Sequence, residues 1–118
     1  MVEPIVYKAI ASLASGQVYP DVAPAGVLAP WITYQAVGGQ DFTGLDNKLP
    51  DKENARVQLS VWAKSRKEAG LLMRQIKKAL VNPEVKAVPI GSPVSSFEQD
   101  TLLYGSSLDF SITYRITD

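Results

Sequence analysis

The spacing of hydrophobic and polar positions changes several times along this chain, and each change predicts an element. Over residues 2–14, Val2, Ile5, Val6, Ala9, Ile10 and Leu13 recur at helical spacing, the signature of an amphipathic helix with one face to bury. Pro4 falls in the first turn, where its missing N–H is harmless, and Ser15-Gly16 is a stop signal. "QVYPDVAPAGVLAP" follows with three prolines, which exclude a helix and leave a short strand at 17–19 running into extended chain. "WITYQAV", residues 31–37, is rich in β-branched and aromatic residues and predicts a strand.

The period becomes two after residue 54. Val57, Leu59, Val61 and Ala63 alternate with Arg56, Gln58, Ser60 and Trp62, so a strand at 55–63 has one face to bury and one to leave wet. The period then returns to that of a helix. Ser65 and Glu68 form a capping box, and Ala69, Leu72, Met73, Ile76 and Leu80 make the apolar stripe. Arg66, Lys67, Arg74, Lys77 and Lys78 fall largely on the other side, a solvated face whose C-terminal cations suit the helix dipole. Asn82-Pro83-Glu84 ends this helix, and Pro89, Gly91 and Pro93 make 85–100 an irregular or edge strand. The last strand is marked by Leu108, Phe110, Ile112, Tyr114 and Ile116 on one face, with Asp109, Ser111, Thr113 and Arg115 on the other.

Helix, three strands, helix and two strands make an α+β fold. The expected architecture is a two-layer sandwich: a mainly antiparallel sheet of four to five strands with two helices on one face. The uncovered face then shows Arg56, Gln58, Ser60, Trp62, Ser111, Thr113 and Arg115. Trp62 is the odd member there, and either contacts a partner or packs beneath a loop. The connection 38–54 holds seventeen residues, with three glycines, one proline and six charges. Most loops in compact domains are nearer ~5 residues, and longer ones tend to carry function or to be solvated tips.

Composition removes most chemistry. With 118 residues the chain is expected to form one domain, 1–118. Twelve basic residues balance twelve acidic ones, so no bulk field draws it to nucleic acid or an anionic membrane. The absence of cysteine and histidine takes away thiolate sites, most hydrolase triads and zinc chemistry. No P-loop is present, since "GGQDFTG" lacks the lysine and the following helix. Asp41, Asp46, Asp51 and Glu53 lack the spacing of a calcium loop, and the serines of "GSSLD" and "SPVSS" have no base to activate them. No catalytic residue, metal or cofactor is expected. Apolar runs fall short of spanning length and the N-terminus lacks a basic flank, which predicts synthesis in the cytoplasm.

Three stretches carry a resemblance: "VYPDVAPAGVLAPWITYQ", "ARVQLSVWAKSRKEAGLLMRQIKKAL" and "FEQDTLLYGSSLDFSITYR". They resemble a family of small phage and prophage tail completion proteins related to the lambda-type tail terminator. The matching positions are Val18, Tyr19 and Pro20; Pro30 and Trp31; Arg56, Val57, Gln58, Val61, Trp62 and Ala63; Glu68 and Ala69; and Leu108, Asp109, Phe110, Tyr114 and Arg115. The resemblance spans nearly the whole chain and brings no catalytic residue with it.

It implies a structural protein that caps the head-proximal end of the tail tube as a ring, expected to be a hexamer, ending tube polymerisation and preparing head joining. The implied partners are further copies of the chain, the tail tube protein and the head-tail connector, with assembly in the bacterial host cytoplasm before incorporation into the virion tail. The expected interface is the 38–54 loop and the polar sheet face, represented by Gln40, Asp41, Phe42, Leu45, Lys48, Arg56, Trp62 and Arg115. A head-to-tail joining protein and, from another class, a small non-catalytic binding module are the alternatives.

Overall fold

The computed structural model describes residues 1–44 and 49–116. Two α-helices, α1 (Glu3–Ile10) and α2 (Arg66–Leu80), accompany five strands: β1 (Val18–Pro20), β2 (Trp31–Ala36), β3 (Lys52–Ala63), β4 (Val88–Glu98) and β5 (Leu103–Arg115). The sheet runs in the order β1-β2-β3-β5-β4. β1 lies parallel to β2, and every other neighbouring pair is antiparallel. Both helices cover one face, α2 over β3 and β5 and α1 beside it against β2. This is the expected α+β class with a mixed, open sheet.

The core forms where the two apolar helix stripes meet the alternate residues of the central strands. Val57, Leu59 and Val61 of β3 and Phe110 and Ile112 of β5 are essentially inaccessible, as are Val6 and Ile10 of α1 and Met73, Ile76 and Leu80 of α2. Burying such side chains contributes about 1.5–3 kcal/mol each, which outweighs the modest intrinsic propensity of the helices. The Ser65 hydroxyl accepts from the Glu68 amide at 3.1 Å, and the Glu68 carboxylate accepts from the Lys64 amide at 3.2 Å. The amide reached back to is thus that of Lys64, one residue before the cap, where a standard capping box would use Ser65's own.

Boundaries differ from expectation at three places, each for a local reason. The first helix closes at Ile10, and the chain turns through a short 3-10 segment, Leu13–Gly16, in which Ala14 and Ser15 take positive φ. β3 begins at Lys52 and β5 at Leu103, because the two strands pair over all twelve residues of β3, from Lys52 opposite Arg115 to Ala63 opposite Tyr104. Lys52, Glu53 and Asn54 therefore belong to a strand, and backbone bonds from Val37 to Arg56 and from Arg56 to Gly38 prolong the pairing beyond β2. Backbone pairing overrides the polar sequence of 52–54, which carries no apolar alternation.

Long central strands make the molecule elongated. Its principal extents are 52 × 26 × 25 Å and its radius of gyration is 15.3 Å, against about 13.5 Å for a typical compact chain of this length. The 37–51 connection leaves the sheet at the Lys52–Arg115 end, and the β4–β5 turn lies at the other end.

Near the first of these ends, the Tyr114 hydroxyl donates to Glu53 Oε2 at 2.8 Å across the β3–β5 pair. Burial, followed by this hydrogen bond and the charge of Glu53, pushes the Tyr114 phenol up to about 12. The folded state then holds a proton that the unfolded chain gives up near pH 10, so this group's contribution to stability is fully present below pH 10 and is lost between pH 10 and 12. Denaturant unfolding followed across that window should show stability falling with pH. Glu53→Ala should bring the Tyr114 ionisation, read by tyrosinate absorbance, back toward 10 and shorten the window.

Candidate assembly interface

Among the described residues, no helix lies on the second face of the sheet. Register places four rows of side chains across its central strands: Trp31, Trp62, Gly105 and Ser96; Thr33, Ser60, Ser107 and Val94; Gln35, Gln58, Asp109 and Ile90; then Arg56, Ser111 and Val88. Asn54 opposite Thr113 and Lys52 opposite Arg115 complete it toward the loop end. The face is polar in its middle, aromatic at one end and aliphatic along β4. Among the described residues there is no cluster of acids that could hold a metal ion, and no helix is long and apolar enough to cross a membrane.

Arg56 is fixed on this face by an ion pair, its Nε lying 2.6 Å from Asp109 Oδ2. The two residues sit diagonally across β3 and β5. The guanidinium side is half exposed, so the pair orients Arg56 more than it stabilises the fold. A groove of about 230 Å³ opens beside it, bordered by Gln58, Ile90, Ser92, Val94 and Ser107.

Trp62 is half-buried, lying over Gly105 on the neighbouring strand. A Cβ at Gly105 would come within 2.5 Å of Ser96 Oγ and 2.9 Å of Trp62 Cζ3. The indole thus occupies space that only glycine leaves free. A glycine isolated in a strand pattern is the sequence signal for such close approach.

Asn54 joins the loop to the sheet. Its amide nitrogen donates to Ser111 Oγ at 2.8 Å and Thr113 Oγ1 at 3.2 Å, while its Oδ1 accepts from the Gln40 amide at 3.0 Å. Gly39 makes this approach possible: at φ +153° it lies so close to the Asn54 carbonyl that no Cβ could be accommodated. Asp41 then accepts from both the amide and the hydroxyl of Thr43, at 2.8 and 2.7 Å. These bonds, the hydroxyl first, hold the Asp41 carboxyl below its ordinary pKa.

Of the residues singled out from the sequence, Gln40, Asp41 and Phe42 are exposed along this loop, with Phe42 40% accessible. Arg56 and Trp62 share the open face, and Arg115 is exposed at its loop end opposite Lys52. Leu45 and Lys48 lie outside the described residues. Periodicity alone had not pointed to Asn54, Gly39 or Gly105, because their importance arises from contacts between segments far apart in sequence.

Comparison with known proteins now bears on this arrangement. The family model described as "Tail completion protein gp17" matches residues 7–115. The chain belongs to that family. This tail completion protein is accordingly a structural component of the phage tail, and the resemblance drawn from its sequence holds across nearly all of its elements. A chain in the solved virion of a native gene transfer agent particle has a similar fold, with a TM-score of 0.57 and 15% identity over 95% of this chain and 85% of that one. No curated protein gave a match. The gene transfer agent likeness speaks to fold, while the family model carries the assignment to the tail.

Gly105→Val tests the packing of the aromatic end. Overpacking of this kind costs typically 1–3 kcal/mol, and the variant should lose stability by that order in urea while its tryptophan emission shifts to the red as Trp62 is expelled. Unchanged emission would show that the indole does not depend on the gap at Gly105.

Proposed function

We propose that this tail completion protein forms a ring on the last ring of tube protein at the head-proximal end of the tail, with six copies as the expected number. It stops tube polymerisation there and presents a surface for joining to the head. The observation carrying this reading is the family match over 7–115. An open sheet face continuous, through Asn54, with an exposed loop supports it. Such a face supplies a broad contact area without catalytic machinery, as a capping role requires.

In this reading the loop and the polar face around Arg56, Trp62 and Arg115 contact other tail components. Copies assemble weakly in the host cytoplasm and strongly on the tube, because a template that binds several copies raises their effective concentration. A closed ring needs two different patches on each copy, so that one copy's first patch meets the next copy's second.

Tail length in a lysate lacking the gene is the direct test, measured by electron microscopy. Overlong, headless tails are the expected outcome. Tails of normal length that fail to join heads would transfer the function to head joining, and intact infectious particles would remove both readings. A finer test replaces 40–50 with a short Gly-Ser turn, sparing Lys52 and β3. The variant should keep its circular dichroism and thermal transition yet fail to cap tails; normal capping would exclude the loop from the interface.

A further inference from the structure

We infer that copies of this protein meet head to tail through two uncharged patches at opposite ends of the strand order, the 22–30 segment of one copy seating against β4 of the next. The inference rests on the multi-copy reading above and supplies its contact.

The first patch is the outer rim of the open face. Residues 87–97 contain no charged side chain in a chain that is 20% charged. Register places Val88, Ile90 and Val94 on the open face, opposite Ser111, Asp109 and Ser107, and they are 61%, 39% and 64% exposed. An edge strand is protected by charge, proline or bulges, and β4 has the last two, which guard its backbone but leave its side chains apolar. Here the solvent side of the edge is aliphatic, as expected of a surface that is covered in use.

The second patch is the connection between β1, the strand at the other edge, and its parallel neighbour β2. Residues 22–40 also carry no charge, and Val22 and Leu28 are about three-quarters exposed. This segment is held in place: Gln17 Nε2 donates to the Leu28 carbonyl at 2.8 Å and to that of Pro30 at 2.7 Å, and the Asp21 amide donates to the Tyr34 carbonyl at 3.0 Å. Its aliphatic side chains are therefore presented at little ordering cost.

The strand order rules out contact between the two patches of one copy. Four strand spacings separate β1 from β4, about 19 Å at the usual ~4.8 Å per strand, so one copy cannot bring its own two patches together. Two distinct apolar patches at opposite edges fit a heterologous contact between copies, the kind that closes into a ring. The contact is made by side chains and not by extension of the sheet. Pro24 and Pro30 interrupt one patch, while Pro89, Pro93 and a register shift between Ile90 and Val94 interrupt the other, so neither offers an unbroken row of backbone donors.

The chain has no cysteine of its own, so a thiol link between two copies of it must run through the introduced residues. Tails assembled with Leu28→Cys/Val94→Cys are treated with a short bismaleimide and immunoblotted for this chain, beside the two single variants and a lysine cross-linker. The expected result is a ladder of multimers from the double variant, none from either single variant, and a lysine ladder from all. A dimer from Val94→Cys alone would mean that β4 meets β4, and would overturn the head-to-tail contact. A lysine ladder without the thiol ladder would overturn it too, while leaving the ring reading in place. Monomers with both reagents would overturn the ring reading and this inference together. Val22→Cys with Val88→Cys reads the same contact should the first pair not enter tails.

Discussion

The pairing of β3 with β5 is the constraint from which the rest of this structure follows. Twelve residue pairs in continuous register fix which side of each central strand faces the helices, since a slip by one residue would exchange the two faces completely. Val57, Leu59 and Val61 opposite Phe110, Leu108 and Ser106 then supply the floor of the core. The same register sends Arg56 toward Asp109, brings Trp62 over Gly105 and sets Asn54 opposite Thr113. Core and open face are two outcomes of one alignment. A change tolerated by the core in volume can still disturb the open face if it moves the register.

That pairing also explains how the root of the long connection is tied to the sheet. β3 and β5 outrun β2 at one end, leaving Asn54 beside the departing chain at Gly39 and Gln40. One side chain thereby satisfies a loop amide and two hydroxyls of β5. Anchoring near the root costs little, because it uses an amide already oriented by the strand. Gln40, Asp41, Phe42 and Thr43 are exposed, so their side chains are available to a partner while the base of the loop is tied to the sheet.

Much of this was legible in the sequence because alternation and helical periodicity record burial directly. The two helix stripes, the buried face of 55–63 and the final strand all follow from apolar spacing, and the α+β arrangement follows from them. What could not be read were features set by backbone partners. Lys52, Glu53 and Asn54 look like loop residues by composition, yet β5 supplies their hydrogen-bond partners. The parallel β1 is three residues long, too short to impose a period. The candidate surface was legible in Arg56 and Trp62, which stand on the polar side of a clear alternation. Asn54, Gly39 and Gly105 were not, since a polar residue or a glycine acquires its role only from what lies across the sheet.

In the proposed ring, the two edges face a constraint that any closing contact must meet. A head-to-tail contact that closes makes a ring, whereas the same contact at a slightly different angle makes an open helical filament. Sheet extension is a poor way to set that angle, because strands can slide in register and an exposed edge accepts any passing strand. The prolines and the bulge at β4 remove that possibility over Val88–Val94, and the prolines of 21–30 do so opposite it. Contact by a few aliphatic side chains avoids that sliding register and buries a modest area. A modest area is an advantage here: complexes of small interface are weak alone and become firm only when a template holds several copies at once. The physical features that keep β4 from acting as an aggregation site are thus the same ones that would make assembly conditional on the tube.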